Sequence, residues 1–315
     1  MMPGEQRATR VREPYLVIGG ATAVGKSAVA IEVAEWLGGE IVVADSRQVY
    51  RGLEVGTAKP GPEERRRAPH HLLDVVDLGE RYTAGDYARD ARASIAAIQR
   101  RGRTAIVCGG TGFYLSALAG ALDPLEAVAD PDRRTAARRQ MAEIPDSVRH
   151  AALLEIDPPT AERLPAGDRQ RVDRALEVYF LTGRPLSTLQ GGGERALPHL
   201  PLTLVRPRAE LHARIERRLE AMLEAGLEAE ARALHDAGWS PDDPGLDSIG
   251  TREWWPHFEG RRSRAETIAD ILASTRAYAK RQETWFRHQG GYRPARPDAG
   301  AVLEAWRSFR EGTRA

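Results

Sequence analysis

Apolar and polar positions along the chain follow two periods. Leu16–Ile18 is a short continuous apolar run, the pattern of a strand buried on both faces. In Ser27–Leu37, Val29, Ile31, Val33, Ala34 and Leu37 recur at helical spacing, and Gly38-Gly39 stops that helix. Glu40–Ala44 reads as a second strand and His70–Asp77 alternates as a further one. Gly85–Gly102 is an amphipathic helix closed by glycine, and Thr104–Gly112 is another apolar strand running into a glycine-rich turn. Strand alternating with helix predicts an α/β fold with a parallel sheet flanked by helices. From Asp123 the texture changes. Pro124, Pro131, Pro145, Pro158 and Pro159 separate short helical patterns with no convincing strand, which predicts a helical insertion over 123–196 within a core of 1–122 and 197–315. Pro201–Val205 returns to strand. Residues 210–238 predict one or two long helices with Leu211, Ile215, Leu219, Met222 and Leu223 on the buried stripe. Leu246–Trp255 reads as a turn followed by an aromatic helix, Arg261–Gln289 as a basic helix, and 290–315 shows no motif.

The first strand and helix enclose Gly20-Ala21-Thr22-Ala23-Val24-Gly25-Lys26-Ser27. This fits G-x-x-x-x-G-K-[ST] in the strand-to-helix context that a phosphate-cradling loop requires. Glycines let successive N–H groups turn inward, and the helix N-terminus adds partial positive charge. Lys26 supplies a point charge, and the Ser27 hydroxyl can ligate Mg2+. The second strand delivers Asp45, Ser46, Arg47 and Gln48 at its C-terminal end, where ligands of doubly wound sheets bind. A carboxylate there can act as a general base, hold Mg2+ through water, or merely cap the next turn. Thr111 ends a third strand facing the same crevice.

Overall composition says little about partners: 46 basic residues stand against 45 acidic ones, a net charge of +1. Locally it says more. Arg261–Gln289 holds seven Arg or Lys against three Asp or Glu, with Tyr278, Trp285 and Phe286 interleaved, a mixture suited to stacking bases and pairing phosphates. A helix with its aromatics in the core has the same pattern. Arg214 and Arg218 are four apart and can reach one anion. The helix around Gly167–Gly183 carries Arg169, Arg171 and Arg174 beside Leu176, Val178, Phe180 and Leu181, either a solvated face or a phosphate contact. The single cysteine, Cys108, allows no disulfide within the chain and no cysteine-based zinc finger. The opening residues lack a signal-peptide pattern and no apolar run reaches membrane-spanning length, so a cytoplasmic protein is expected.

Together these stretches resemble the bacterial tRNA dimethylallyltransferase family, also called tRNA isopentenyltransferases. GATAVGKS at 20–27, ADSRQVYRGLEVGTAKP at 44–60, HHLLDVVD at 70–77 and CGGTGFY at 108–114 match in family order. So do DRQRVDRALEVYFLTGRPLS at 168–187, LHARIERRLEAMLEAGLEAE at 211–230, SIGTREW at 248–254 and TRAYAKRQETWFR at 275–287. The resemblance implies a P-loop NTPase-like core and transfer of the dimethylallyl group of dimethylallyl diphosphate to the exocyclic amine of the adenosine 3′ of the anticodon, with Mg2+. It further implies that Asp45 is the base, that Thr22, Lys26 and Arg218 with the loop 20–27 grip the diphosphate, and that Ser27 faces the metal. Ser46 and Gln48 would meet the flipped-out adenosine. Arg47, Gln170, Arg171, Arg174, Ser248, Ile249, Gly250, Arg252, Lys280, Arg281, Gln282, Trp285 and Arg287 would hold the tRNA anticodon stem-loop, over which the insertion closes. The expected protein is a monomer with no obligate protein partner. It departs from the family pattern at Ala21, Gly167 and Thr251.

Two rivals share the phosphate loop. A small-molecule kinase would bind ATP and leave the basic aromatic helix without a purpose. An adenylate isopentenyltransferase, acting on free AMP, ADP or ATP, needs no insertion to grip an anticodon. A third rival is a regulatory GTPase or a non-enzymatic RNA-binding module; the sequence lacks the N-K-x-D of a GTPase, and a passive binder would leave Asp45 beside the loop without a use.

Overall fold

The computed structural model describes residues 13–120, 131–189, 197–289 and 291–314. The chain divides into two compact units. The first comprises residues 1–83, 89–114 and 197–315, and the second 84–88 and 115–196.

The first half of the chain forms β1 (Tyr15–Gly20), α1 (Lys26–Leu37), β2 (Glu40–Ala44), α2 (Pro62–Arg67), β3 (His70–His71), α3 (Ala84–Arg100), β4 (Ala105–Gly109) and α4 (Gly112–Leu118). The second unit then contributes α5 (Pro131–Ala142), α6 (Arg149–Ile156), α7 (Pro158–Ala161), α8 (Arg169–Thr182) and α9 (Leu186–Leu189), with no strand among its described residues. The chain continues through β5 (His199–Leu204), α10 (Arg208–Glu224), α11 (Leu227–Asp236), α12 (Trp255–Phe258), α13 (Arg264–His288), β6 (Arg293–Ala295) and α14 (Ala299–Arg314).

The six strands form one parallel sheet in the order β3-β2-β4-β1-β5-β6. Every residue of β1, β2 and β4 is buried, as a parallel sheet covered on both faces requires. Leu16, Ile18, Ile41, Ile106 and Leu202 meet Val29 and Ile31 of α1, Ile215 of α10, and Val302 and Trp306 of α14 in the principal core. The second unit has its own core of Leu153, Val172, Ala175 and Leu176. In α8, Leu176, Val178 and Leu181 are buried as their spacing predicts; Asp168 accepts from the Arg171 N–H as N-cap, and Gly183 closes the helix.

Two expectations change. Alternation over His70–Asp77 predicts a strand of eight residues, but only His70 and His71 pair with β2, followed by one isolated bridge from Val76 to Tyr50. Leu72 and Asp74 have φ of 64° and 55°, which breaks the extended backbone. Asp74 is instead drawn to the Lys59 ammonium at 2.6 Å. The motif-free tail 290–315 supplies the edge strand β6 and α14, whose Val302, Leu303 and Trp306 are buried.

Helix α13 lies unusually close to the sheet ends. A Cβ on Gly19 of β1 would come within 2.5 Å of the Phe286 ring, and one on Gly112 within 2.4 Å of the Trp285 ring. These glycines are the seats of the helix. Gly19→Ala is expected to lower stability by about 1–3 kcal/mol through overpacking against a rigid ring. Gly312→Ala, in open space on α14, should raise it by up to about 1 kcal/mol from helix propensity. Urea unfolding of both variants checks the opposite signs.

Candidate active site

The glycine-rich loop leaves β1 and enters α1 through Gly25, a left-handed N-cap with φ 107° and no side-chain cap. Ala23 is also left-handed at φ 62°, a strained conformation for a residue with a Cβ. The surroundings hold it there. Arg214 Nε donates to the Ala23 carbonyl and Arg206 Nε to the Val24 carbonyl, each at 2.8 Å. With these carbonyls fastened from outside, the loop can turn N–H groups inward, joining the first N–H groups of α1, which have no intrahelical partner. Val24 and Ala21 are buried, and Lys26 Nζ donates to the Ala21 carbonyl at 2.8 Å.

Gln282 of α13 completes the loop. Its Oε1 accepts the Thr22 N–H at 2.8 Å, and its Nε2 donates to the Gly110 carbonyl at 2.8 Å. Expected at the tRNA surface, Gln282 is only 7% exposed, and both ends of its amide bind protein. Trp285 is likewise half-buried against Gly112, stacked edge-on with Phe286. Lys280, Arg281 and Arg287 on the same helix are exposed, and Arg281 lies over the Tyr278 ring, 5.6 Å from its centre. The interleaved aromatics and cations thus separate by face: core anchors inward, charges outward.

Beside the loop is a cavity of about 230 Å3 lined in part by Thr22, Asp45, Arg47, Arg218, Met222 and Tyr278. Asp45 Oδ1 accepts the N–H groups of Arg47 at 2.9 Å and Gln48 at 3.4 Å, so the capping role does occur, while Asp45 also lines the cavity. Ser46 N–H donates to Thr111 Oγ1 at 3.0 Å. The Tyr278 hydroxyl lies near Thr111, and burial together with the nearby Asp45 charge pushes its pKa up to about 12. Arg218 forms no hydrogen bond or ion pair among the described residues, and burial lowers its pKa while the Asp45 charge opposes that fall. Lys26 is similar. Burial brings its pKa down to about 8, with Arg218 pushing further down and Cys108 and Asp45 pushing up.

The remaining expected residues divide. Arg47 donates to the Pro244 carbonyl and to Asp247, and Arg252 also pairs with Asp247, so both brace the turn that holds Ser248, Ile249 and Gly250 at the cavity wall. Gln48 Nε2 donates to the carbonyls of Thr57 at 3.1 Å and Ala58 at 3.2 Å, bracing the loop opposite. Thr251, a departure from the family pattern, is 1% exposed, and its hydroxyl finds no hydrogen-bond partner among the described residues. Ser27 is exposed at the start of α1. Gln170, Arg171 and Arg174 are exposed on α8 of the second unit, Arg174 bonded to Glu177.

Residue-by-residue reading missed the braces of the loop 51–60. Glu230 of α11 accepts the N–H groups of Glu54, Val55 and Gly56 at 2.8 Å each. Lys59, its side chain fully buried, binds the Tyr50 carbonyl, Glu54 and Asp74. Lys59, followed by Pro60 in a loop with no hydrophobic period, is the nearest sequence signal.

A parallel α/β sheet with a glycine-rich loop after β1, two desolvated cations and a carboxylate at the strand ends defines a P-loop-type fold built to act on an anionic ligand. Residues 48–289 match the IPP transferase family model. The tRNA dimethylallyltransferase of Halorhodospira halophila is 48% identical over 281 residues, covering 88% of this chain and 90% of that protein. That of Syntrophobacter fumaroxidans is 43% identical over 293 residues, with 92% and 85% covered. Among solved structures, the tRNA isopentenylpyrophosphate transferase of Staphylococcus epidermidis superposes with a TM-score of 0.68 at 29% identity, covering 96% of this chain and all of that one. A eukaryotic dimethylallyltransferase acting on tRNA superposes at 0.80 and 27% identity, with 96% and 77% covered. The chain belongs to the IPP transferase family.

The Lys26 shift has a measurable sign. Protonated below pH 8, Lys26 attracts an anion; above it the charge is lost. Affinity for an unreactive alkyl diphosphate, fully ionised throughout, is expected to fall by up to about tenfold per pH unit above 8. Calorimetric titrations from pH 7 to 9.5 should show that bend in the wild type and none in Lys26→Arg.

Proposed function

We propose that this enzyme transfers the dimethylallyl group of dimethylallyl diphosphate to the N6 amine of the adenosine 3′ of the anticodon in tRNA, releasing diphosphate. The carrying observation is the Arg218 guanidinium, without a partner among the described residues, lining with Asp45 one cavity beside the glycine-rich loop. As the allylic C1–O bond breaks, negative charge gathers on the departing diphosphate. Loop N–H groups, Lys26 and Arg218 stabilise that charge more in the transition state than in the substrate. The N6 lone pair attacks C1, and Asp45 Oδ2 takes the amine proton while Oδ1 stays bonded to the Arg47 and Gln48 N–H groups. Tyr278 walls the cavity beside Asp45.

Mg2+ fits this site only as a partner of the diphosphate. Among the described residues no group of three His, Cys, Asp or Glu could hold a metal by itself, while Ser27 offers an exposed hydroxyl at the helix start. Mg2+ is commonly held by one or two protein oxygens plus phosphates and waters. When bound it supplies further charge neutralisation on the leaving group.

The exposed Lys280, Arg281 and Arg287 of α13, and Arg171 and Arg174 of α8 with Gln170, are assigned to the anticodon stem-loop phosphates. The target adenosine must leave its stack to reach a cavity of this size. The enzyme is read as cytoplasmic and monomeric; among the described residues no helix is long and apolar enough to cross a membrane.

Radiolabelled dimethylallyl diphosphate with Mg2+ and either unmodified tRNA or AMP tests the reading. Label in tRNA alone is expected; label in AMP would move the enzyme to the free-nucleotide class, and label in neither would favour a kinase. Asp45→Asn should cut kcat by about 10²–10⁴-fold with diphosphate affinity preserved; turnover near wild type would remove Asp45 as the base. Arg281→Ala should weaken tRNA binding and reduce the slope of log affinity against log salt by about one. An unchanged slope would leave Arg281 with its stacking on Tyr278 alone.

A further inference from the structure

Helix α10 runs away from the glycine-rich loop with one stripe of residues four apart. Arg214 fastens the Ala23 carbonyl, Arg218 faces the cavity, and Met222 lies four residues further, about 6 Å along the axis. That rise is close to the reach of the four-carbon backbone of a dimethylallyl group. With a diphosphate held between the loop and Arg218, an allyl tail lying along this stripe ends at Met222. Here the thioether packs with Leu219, Leu227 and Ile271.

Beyond Met222 the molecule is not solid. A groove of about 630 Å3 shares Arg218 and Met222 with the cavity and is otherwise bounded by Val55, Ala58, Pro60, Ala221 and Ala225 among others. Ala221 and Ala225, exposed one helical turn apart, leave its floor open. A largely apolar trough separated from the cavity only by the shared Arg218 and Met222, with Glu54, Lys59 and Arg65 on its rim, suits the tail of a longer allylic diphosphate held in that cavity.

Resting on the transferase reading above, we propose that Met222 is the stop that sets the length of the allyl group, and that the groove beyond it receives a ten-carbon tail once that stop is shortened. The chemistry is unchanged. The N6 lone pair forms the bond to C1, the C1–O bond breaks with its electron pair leaving on diphosphate, and the N6 proton passes to Asp45.

The experiment compares kcat/KM for dimethylallyl and geranyl diphosphates with one unmodified tRNA, in the wild type, Met222→Val and Met222→Ala. The wild type should favour the five-carbon donor by more than about a hundredfold, since a tight apolar pocket rejects added methylenes at tenfold or more each. The ratio should move toward geranyl by at least about tenfold in Met222→Ala and by less in Met222→Val. Adding Ala221→Phe to Met222→Ala, which fills the groove from an exposed helix face, should remove the gain. An unchanged ratio in both single variants, or a wild type that already uses geranyl diphosphate equally well, overturns Met222 as the stop. A gain that survives Ala221→Phe overturns the groove as the tail site. If Met222→Ala fails to fold, the Met222→Val ratio decides alone. A wild type inactive with dimethylallyl diphosphate would sink the transferase reading itself, and this inference with it.

Discussion

Two cations, Lys26 and Arg218, are half-buried near one carboxylate, Asp45, and none of the three forms an ion pair among the described residues. Desolvating a charge without a partner is costly. That cost shows in both pKa values, which burial lowers. The arrangement persists because the scaffold leaves the side chains little choice. Lys26 is fixed on its own loop by the Ala21 carbonyl, and Arg218 is carried on a helix whose Ile215 and Leu219 are buried. A site strained by unmatched charge gains most when an anion arrives, and more still when that anion's charge increases during the reaction.

Everything near this charge pair serves to keep the surrounding backbone in place. Arginines grip the outer carbonyls of the glycine-rich loop, and Gln282 bridges that loop to the end of β4. Across the cavity, the loop 51–60 is pinned by a carboxylate on one side and an ammonium on the other, Glu230 and Lys59. Both are polar groups that a loop needs when its backbone cannot join a helix or sheet. Their positions far apart in sequence explain why motifs of the family are scattered along the chain.

The strands and helices around the phosphate loop were legible because parallel strands buried on both faces are continuous apolar runs, and β2 has the predicted bounds Glu40–Ala44. His70–Asp77 misled because alternation records which side chains face inward. A loop pulled in by Lys59 on Asp74 can alternate as well as a strand. The tail 290–315 carries no motif, yet Val302, Leu303, Trp306 and Phe309 have helical spacing and the first three are buried. At the site, Asp45, Lys26 and Arg218 could be placed from strand ends and helix spacing. Gln282 could not. Its role depends on a contact across 260 residues with the Thr22 N–H, which no local pattern encodes.

Helix α13 shows why basic and aromatic residues interleave without all serving one purpose. Ile271, Ala279, Gln282 and Phe286 are buried and seat the helix, so register is set by packing against glycine. Once that register is fixed, Tyr278 must meet Thr111, and Lys280, Arg281 and Arg287 must face solvent. A rigid helix of 25 residues therefore ties the placement of the outward cations to the placement of the glycine-rich loop. Tilting it to adapt to an RNA would pull Gln282 from Thr22 and Gly110 and drive the Trp285 and Phe286 rings off their seats. On the proposed reading, any adjustment to an RNA would come from the long side chains themselves, which form no ion pair among the described residues, while the backbone beneath the site stays still.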